Sequence, residues 1–136
     1  MLSKYKKIDS GGNFINNIGF KVKNKTEFFK NYKFAIVFEN SKYLGYCTEK
    51  ITGALYSGTI PIYWGDDSIL DIFNNKSYIH IRNESEFEEK IKYIIKIDQN
   101  DTLYNKIIHE KIILNENKAN NMKQFENFLY NIFDQK

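Results

Sequence analysis

In 136 residues the chain has one cysteine, one proline, one tryptophan and, in Arg82, one arginine. A lone cysteine excludes a disulfide within the chain and a cysteine-built metal cluster, so packing alone must hold the fold. No apolar run approaches the roughly 20 residues of a membrane span. The start, Met1-Leu2-Ser3-Lys4-Tyr5-Lys6-Lys7, lacks the apolar segment of a signal peptide. The chain is therefore expected to be soluble as written, with any membrane anchor on another portion or a partner. Net charge is +3, and Arg82 stands alone among 20 basic residues. The lysines are interleaved with acids. A nucleic-acid surface needs clustered cations and usually arginine forks, so no nucleic-acid partner is expected.

What is present argues for one small domain with a real core. Hydrophobic residues make up 42% and aromatics 16%, including ten Tyr and eleven Phe, too much for a disordered chain. Lys33 to Phe38 reads as a strand, and its unbroken Phe34-Ala35-Ile36-Val37-Phe38 run predicts cover on both faces. Thr48 to Ser57 reads as a helix, with Thr48 as N-cap, Ile51, Ala54 and Leu55 as its apolar stripe and Gly58 as its stop. Thr59 to Trp64 and Ser77 to Ile81 are two further strands. Asp66 or Asp67 caps a short helix between them.

A short helix is also expected at Thr26–Lys30, capped by Thr26 or Asn24. Ser85-Glu86-Phe87-Glu88 reads as a capping box opening a helix lined by Phe87, Ile91, Ile94 and Ile95. Two more helices follow, from about 101 to 113 and from about 119 to 133. Strand and helix alternate, which predicts a parallel sheet with right-handed crossovers. Three strands make that sheet thin.

The polar residues crowd where the first strand ends and the next helix begins, where ligands bind in open α/β sheets. Lys50 falls in the first helical turn. A cation there is mildly unfavourable unless an anion sits beside it, so a bound anion competes with a plain solvated lysine as its explanation. Glu49 suits paired sugar hydroxyls, or simple pairing with the helix start. Tyr46, on the Gly45 turn, reaches toward a phosphate or is a half-buried aromatic. Asn40 and Ser41 suit phosphate oxygens or ordinary turn chemistry. Glu39 either reaches solvent or is paired at the sheet edge. Cys47 has no histidine near it in sequence, so it does not read as a nucleophile. Capping suits Asp66 and Asp67, and packing suits Tyr63, Trp64, His80 and His109.

Phe38-Glu39-Asn40-Ser41, then Tyr46-Cys47-Thr48-Glu49-Lys50, then Ile60-Pro61-Ile62-Tyr63-Trp64-Gly65 resemble the α-1,3/4-fucosyltransferases, glycosyltransferase family ten. Gly11-Gly12-Asn13, Gly19 and Tyr32-Lys33-Phe34 extend the resemblance over nearly the whole chain. It implies a Rossmann-like parallel sheet with flanking helices, the C-terminal, donor-binding half of a GT-B enzyme, occupying residues 1–136. It implies GDP-fucose as donor, a GlcNAc-containing glycan as acceptor, inversion at the anomeric carbon and no cofactor or metal. Carried over by position, Lys50 sits on the diphosphate, Glu49 holds ribose or fucose hydroxyls, and Tyr46 and Asn40 contact the phosphate and fucose side.

The resemblance places the catalytic base on an acceptor domain outside this chain. A diphosphate-binding arginine and the first strand–helix unit of the donor domain fall outside it too, so no catalytic residue is expected within it. Gly53 stands where the family commonly has an acidic residue. Members work in the Golgi membrane on glycoproteins or in the bacterial cytoplasm on surface polysaccharide. The alternatives are a guanine-nucleotide-sugar-binding remnant without turnover and an α/β fragment without a site.

Overall fold

A computed structural model describes residues 2–114. Three parallel strands form one sheet in the order β1 (Phe34–Phe38), β2 (Ile60–Trp64), β3 (Ile79–Ile81). Phe34 pairs with Ile60 and Phe38 with Trp64; Ile62 pairs with Ile79 and Trp64 with Ile81. The helices are α1 (Leu2–Tyr5), α2 (Lys25–Phe29), α3 (Lys50–Tyr56), α4 (Phe87–Asp98) and α5 (Asp101–Ile108). The helix expected at 119–133 lies outside the described residues.

Period-two alternation divides the strand side chains between two cores. Ala35, Val37, Tyr63 and Tyr78 point to one face and pack with Ile51, Ala54 and Leu55 of α3 and with Ile69 and Phe73. Ile60, Ile62, Ile79 and Ile81 point to the other and pack with Ile94 and Ile97 of α4 and Ile107 of α5. The central strand β2 is covered on both faces, as its all-apolar sequence requires. Pro61 sits in this central strand at no cost. Ile60 donates to β1 at Lys33, so the Pro61 nitrogen turns the other way, at a level where β3 pairing has not begun.

β1 departs from its expected cover on both faces. Ala35 and Val37 are buried, but Ile36 and Phe38 are 45% and 40% exposed. Among the described residues β1 is an edge of the sheet, and α4 and α5 reach only as far as Phe34 on that face.

Several ends differ because side chains find partners that local pattern does not show. Thr48 does not cap α3; Glu49 occupies the cap position without a side-chain cap bond, and the Thr48 hydroxyl goes to Glu39. The expected capping box at Ser85 is absent. Asn83 instead accepts from the Ser85 N–H and caps a short 3-10 turn that leads into α4. β3 begins at Ile79 rather than Ser77, whose hydroxyl is taken by the Asn74 carbonyl. α5 stops at Ile108 because the chain beyond it pairs with 72–74, the Asn74 N–H donating to Ile112 and the Leu114 N–H to Ile72. Asn24, not Thr26, caps α2. Asp66 caps the 3-10 helix Asp67–Asp71. Gly58 ends α3 with φ +75°, the left-handed conformation glycine adopts freely.

Candidate functional site

The strand ends of a parallel sheet gather side chains that are far apart in sequence. Glu39 follows β1 directly, and its N–H still donates to the Trp64 carbonyl, which extends the ladder by one residue. That bond fixes the Glu39 backbone, and its side chain turns inward and is fully buried. Its Oε1 accepts from the Thr48 N–H at 2.8 Å. The Thr48 hydroxyl lies 2.8 Å from Oε2 and 3.0 Å from Oε1. The Lys50 ammonium lies 3.2 Å from Oε2. Burial pushes the Glu39 carboxyl upward in pKa, but the Thr48 donors and the Lys50 charge outweigh it and hold it below the usual carboxylate range.

Lys50 also donates to the Asn40 amide oxygen at 3.0 Å. Its side chain remains 24% exposed, so Glu39 and Asn40 hold it without enclosing it. Glu39 thus supplies the anion that a cation at a helix start requires. The compensating charge at Lys50 is internal, so the helix start does not by itself call for an external anion. α3 is also only seven residues long, so its dipole adds little.

Of the sequence-derived candidates, the structure brings Asn40 and Lys50 together. Glu49 is exposed, and its carboxylate has no hydrogen bond or ion pair among the described residues. Tyr46 is half-buried, with its ring against Tyr43 at 4.6 Å between centroids. Asp66 ties the turn between β1 and α3 to the end of β2. Its Oδ2 accepts from the Gly45 N–H at 2.8 Å and the Ser68 N–H at 3.2 Å. Gly45 takes φ +80°, which a side chain would resist.

Glu39 and Gly65 are the residues that sequence reading left open or passed over. A Cβ on Gly65 would lie 2.9 Å from Glu39 Cγ and would overlap the Tyr63 hydroxyl. The Tyr-Trp-Gly ending of β2 therefore leaves room for the buried carboxylate. The signal available in sequence was a single acid immediately after an apolar strand.

The other polar candidates resolve as structure. Asp67 lies among Lys42, His80 and Arg82, at 3.5 Å from His80 Nε2 and 3.8 Å from Arg82 Nε. His80 is packed between the Tyr63 and Tyr78 rings, and its burial lowers its pKa. Burial also raises the Cys47 thiol, which argues against a thiolate nucleophile. His109 sits 2.7 Å from the Asn105 carbonyl oxygen. A cavity of about 390 Å³ borders β3, lined by Tyr78, His80, Arg82 and Lys90 among others. It does not include Lys50 or Asn40. Their cluster lies on an open surface, and its claim as a site rests on its position at the carboxyl ends of the strands.

A parallel three-stranded sheet with flanking helices and polar side chains gathered at its carboxyl edge defines an α/β domain of the open-sheet class. Comparison with known proteins narrows the class. The model for the C-terminal region of glycosyltransferase family 10 (fucosyltransferase) matches residues 1–128, and the chain belongs to this family. It is 40% identical over 109 residues to the alpha-(1,3)-fucosyltransferase FucT of Helicobacter pylori, covering 80% of this chain and 23% of that protein. It is 34% identical over 127 residues to the putative fucosyltransferase R654 of Acanthamoeba polyphaga mimivirus, covering 85% of this chain and 21% of that protein. A crystal structure of an alpha1,3-fucosyltransferase with GDP-fucose superposes with a TM-score of 0.75 at 40% identity, over 80% of this chain and 32% of that one. The chain thus spans less than a third of the length of these relatives. Among the described residues no helix is long and apolar enough to cross a membrane.

Proposed function

We propose that this chain is the donor-binding part of a fucosyltransferase that holds GDP-fucose for inverting transfer to a GlcNAc hydroxyl of a glycan, an α-1,3-fucosyltransferase activity. The observation that carries the reading is the Lys50 ammonium. Glu39 and Asn40 hold it at the carboxyl end of β1, and its side chain stays partly exposed. The likeness to a relative crystallised with GDP-fucose supports it.

In this reading the bond between the fucose anomeric carbon and the diphosphate breaks, and its electron pair leaves on the diphosphate oxygen. Lys50 meets that growing negative charge with a cation already in place, which lowers the barrier. Because Glu39 and Asn40 fix the ammonium, little reorganisation is needed as the charge develops. Glu49, whose carboxylate has no partner among the described residues, accepts hydrogen bonds from ribose or fucose hydroxyls. Tyr46 and Asn40 contact the phosphate and fucose side. The acceptor hydroxyl attacks from the opposite face, and its proton passes to a carboxylate on the acceptor domain.

Titration calorimetry tests the donor site. The chain is expected to bind GDP-fucose and not UDP-galactose, and Lys50→Ala to weaken binding at least tenfold without loss of fold. Equal affinity in the Lys50→Ala variant would sink the reading. Selective binding that never yields transfer, even with an acceptor domain supplied, would favour the non-catalytic binding module.

A further inference from the structure

A buried acid follows each of the first two strands. Glu39 comes directly after β1, and Asp66 comes shortly after β2. Each takes a backbone N–H from the connection between β1 and α3. Glu39 Oε1 accepts from Thr48, and Asp66 Oδ2 accepts from Gly45. Between these anchors the Tyr46 N–H donates to the Tyr43 carbonyl at 3.0 Å and the Cys47 N–H to the Gly45 carbonyl at 3.1 Å. Every amide from Gly45 to Thr48 therefore has its own acceptor.

Tyr43-Leu44-Gly45-Tyr46 is a β-turn. Leu44 keeps a negative φ and Gly45 takes +80°, which makes it type II. The bond that closes such a turn runs from the fourth residue to the first, so the N–H of the third takes no part in it. That N–H needs an acceptor from elsewhere, and Asp66 supplies it from the end of β2. Tyr46 is the fourth residue of the turn, and its ring leans on that of Tyr43. The same loop is tied again at Lys42, whose ammonium donates to the Arg82 carbonyl beyond β3 at 3.0 Å.

Asp66 also caps the following 3-10 helix, where the same Oδ2 accepts from the Ser68 N–H at 3.2 Å. Capping does not account for the second bond. A serine caps a helix start as well as an aspartate does. The Gly45 bond, the shorter of the two at 2.8 Å, uses an oxygen one bond further from the backbone than a serine hydroxyl.

We propose that Asp66 is a positioning residue of the donor site: by holding the Gly45 N–H it sets the 43–46 turn, and through the turn the Tyr46 side chain, before the nucleotide sugar binds. The inference rests on the donor reading of Tyr46. A hydroxyl that must meet a phosphate at hydrogen-bond distance gains from a backbone already fixed, because its ordering is completed in folding rather than in binding. Once the turn is released, the ligand has to order it. Affinity then falls although no group that touches the ligand has changed.

The test uses the 136-residue chain and two substitutions. Asp66→Asn keeps an oxygen where Oδ2 lies; Asp66→Ser keeps the cap and loses the reach to Gly45. Without ligand, amide exchange at Gly45 and Tyr46 should quicken roughly tenfold more than that of β2 in Asp66→Ser, and stay within about threefold of the parent in Asp66→Asn. In titration calorimetry Asp66→Ser should weaken GDP-fucose binding about fivefold, and Asp66→Asn less than about twofold. In a Tyr46→Phe background the effect of Asp66→Ser should shrink below about twofold, the non-additivity of two residues acting as one. Exchange that rises uniformly along the chain, or not at all, overturns the inference. So does an affinity loss that adds in full to that of Tyr46→Phe. If the parent binds GDP-fucose and Lys50→Ala weakens it while Asp66→Ser does not, the positioning role falls and the donor reading stands. A folded parent that binds no GDP-fucose removes both.

Discussion

Glu39 and Lys50 form a buried-to-surface ion pair, 3.2 Å between Oε2 and Nζ, in which the glutamate side chain is fully buried and the lysine side chain partly exposed. The asymmetry separates their roles. Glu39 spends its acceptor capacity on Thr48 and Lys50 and organises the β1–α3 connection. Lys50 donates to Glu39 and Asn40, which among the described residues leaves one of its three N–H donors unassigned.

Glu39→Gln should destabilise the chain by about 1–3 kcal/mol, because Gln keeps the volume but loses the charge that satisfies Lys50 and one acceptor for Thr48. Urea unfolding measures this. A variant within 0.5 kcal/mol of the parent, on the order of a silent surface change, would show that the carboxylate is not a structural hub.

Acid should remove that contribution. The Glu39 carboxyl is held below its ordinary pKa, so between the folded and unfolded values the unfolded chain binds more protons. Stability from this group is fully present above the unfolded carboxylate range and is lost as pH falls through the folded pKa. Asp66 acts in the same direction, through its hydrogen bonds to Ser68 and to the Gly45 N–H. Denaturant midpoints taken from pH 6 down to 3 should fall, and fall less steeply in Glu39→Gln. Parallel curves for parent and variant would contradict the assignment.

Gly65→Ala should cost about 1–3 kcal/mol by overpacking. The new methyl meets Glu39 Cγ at 2.9 Å and the Tyr63 ring, and neither is free to move, Tyr63 being fully buried. Donor affinity should drop with it, since displacing Glu39 moves Lys50. Thermal unfolding and calorimetry on the same sample read both effects.

Gly53→Ala should do the opposite. Gly53 lies inside α3, and the nearest atom to an added Cβ is Thr26 Oγ1 at 3.8 Å, an ordinary contact. Relief of the glycine penalty predicts a gain of about 0.5–1 kcal/mol. A loss on urea unfolding would mean that α3 and α2 are closer in solution than this contact allows.

The parallel order, the three strands and the helix between β1 and β2 were legible because they rest on signals carried by neighbours in sequence. The apolar runs at 34–38 and 60–64, the alternation of strand and helix, and the stop at Gly58 are of this kind. Asn40 and Lys50 were legible as polar residues at strand and helix ends. Cap assignments failed at Thr48 and Ser85, where a pattern four residues long competes with partners it does not contain. Thr48 finds Glu39 nine residues away, and no local rule ranks that bond above a cap.

By itself the amino-acid sequence determined the class of this protein. Hydrophobic periodicity and turn residues act over a few residues and select a parallel α/β sheet, and the residues around Asn40 and Lys50 mark its carboxyl edge. Tertiary structure alone decided that Glu39 turns inward, that Gly65 makes room for it, and that among the described residues β1 is an edge strand with Ile36 and Phe38 exposed. Each of these depends on which groups meet across the sheet. Burial and charge compensation are properties of that meeting, and a strand's own composition does not contain them.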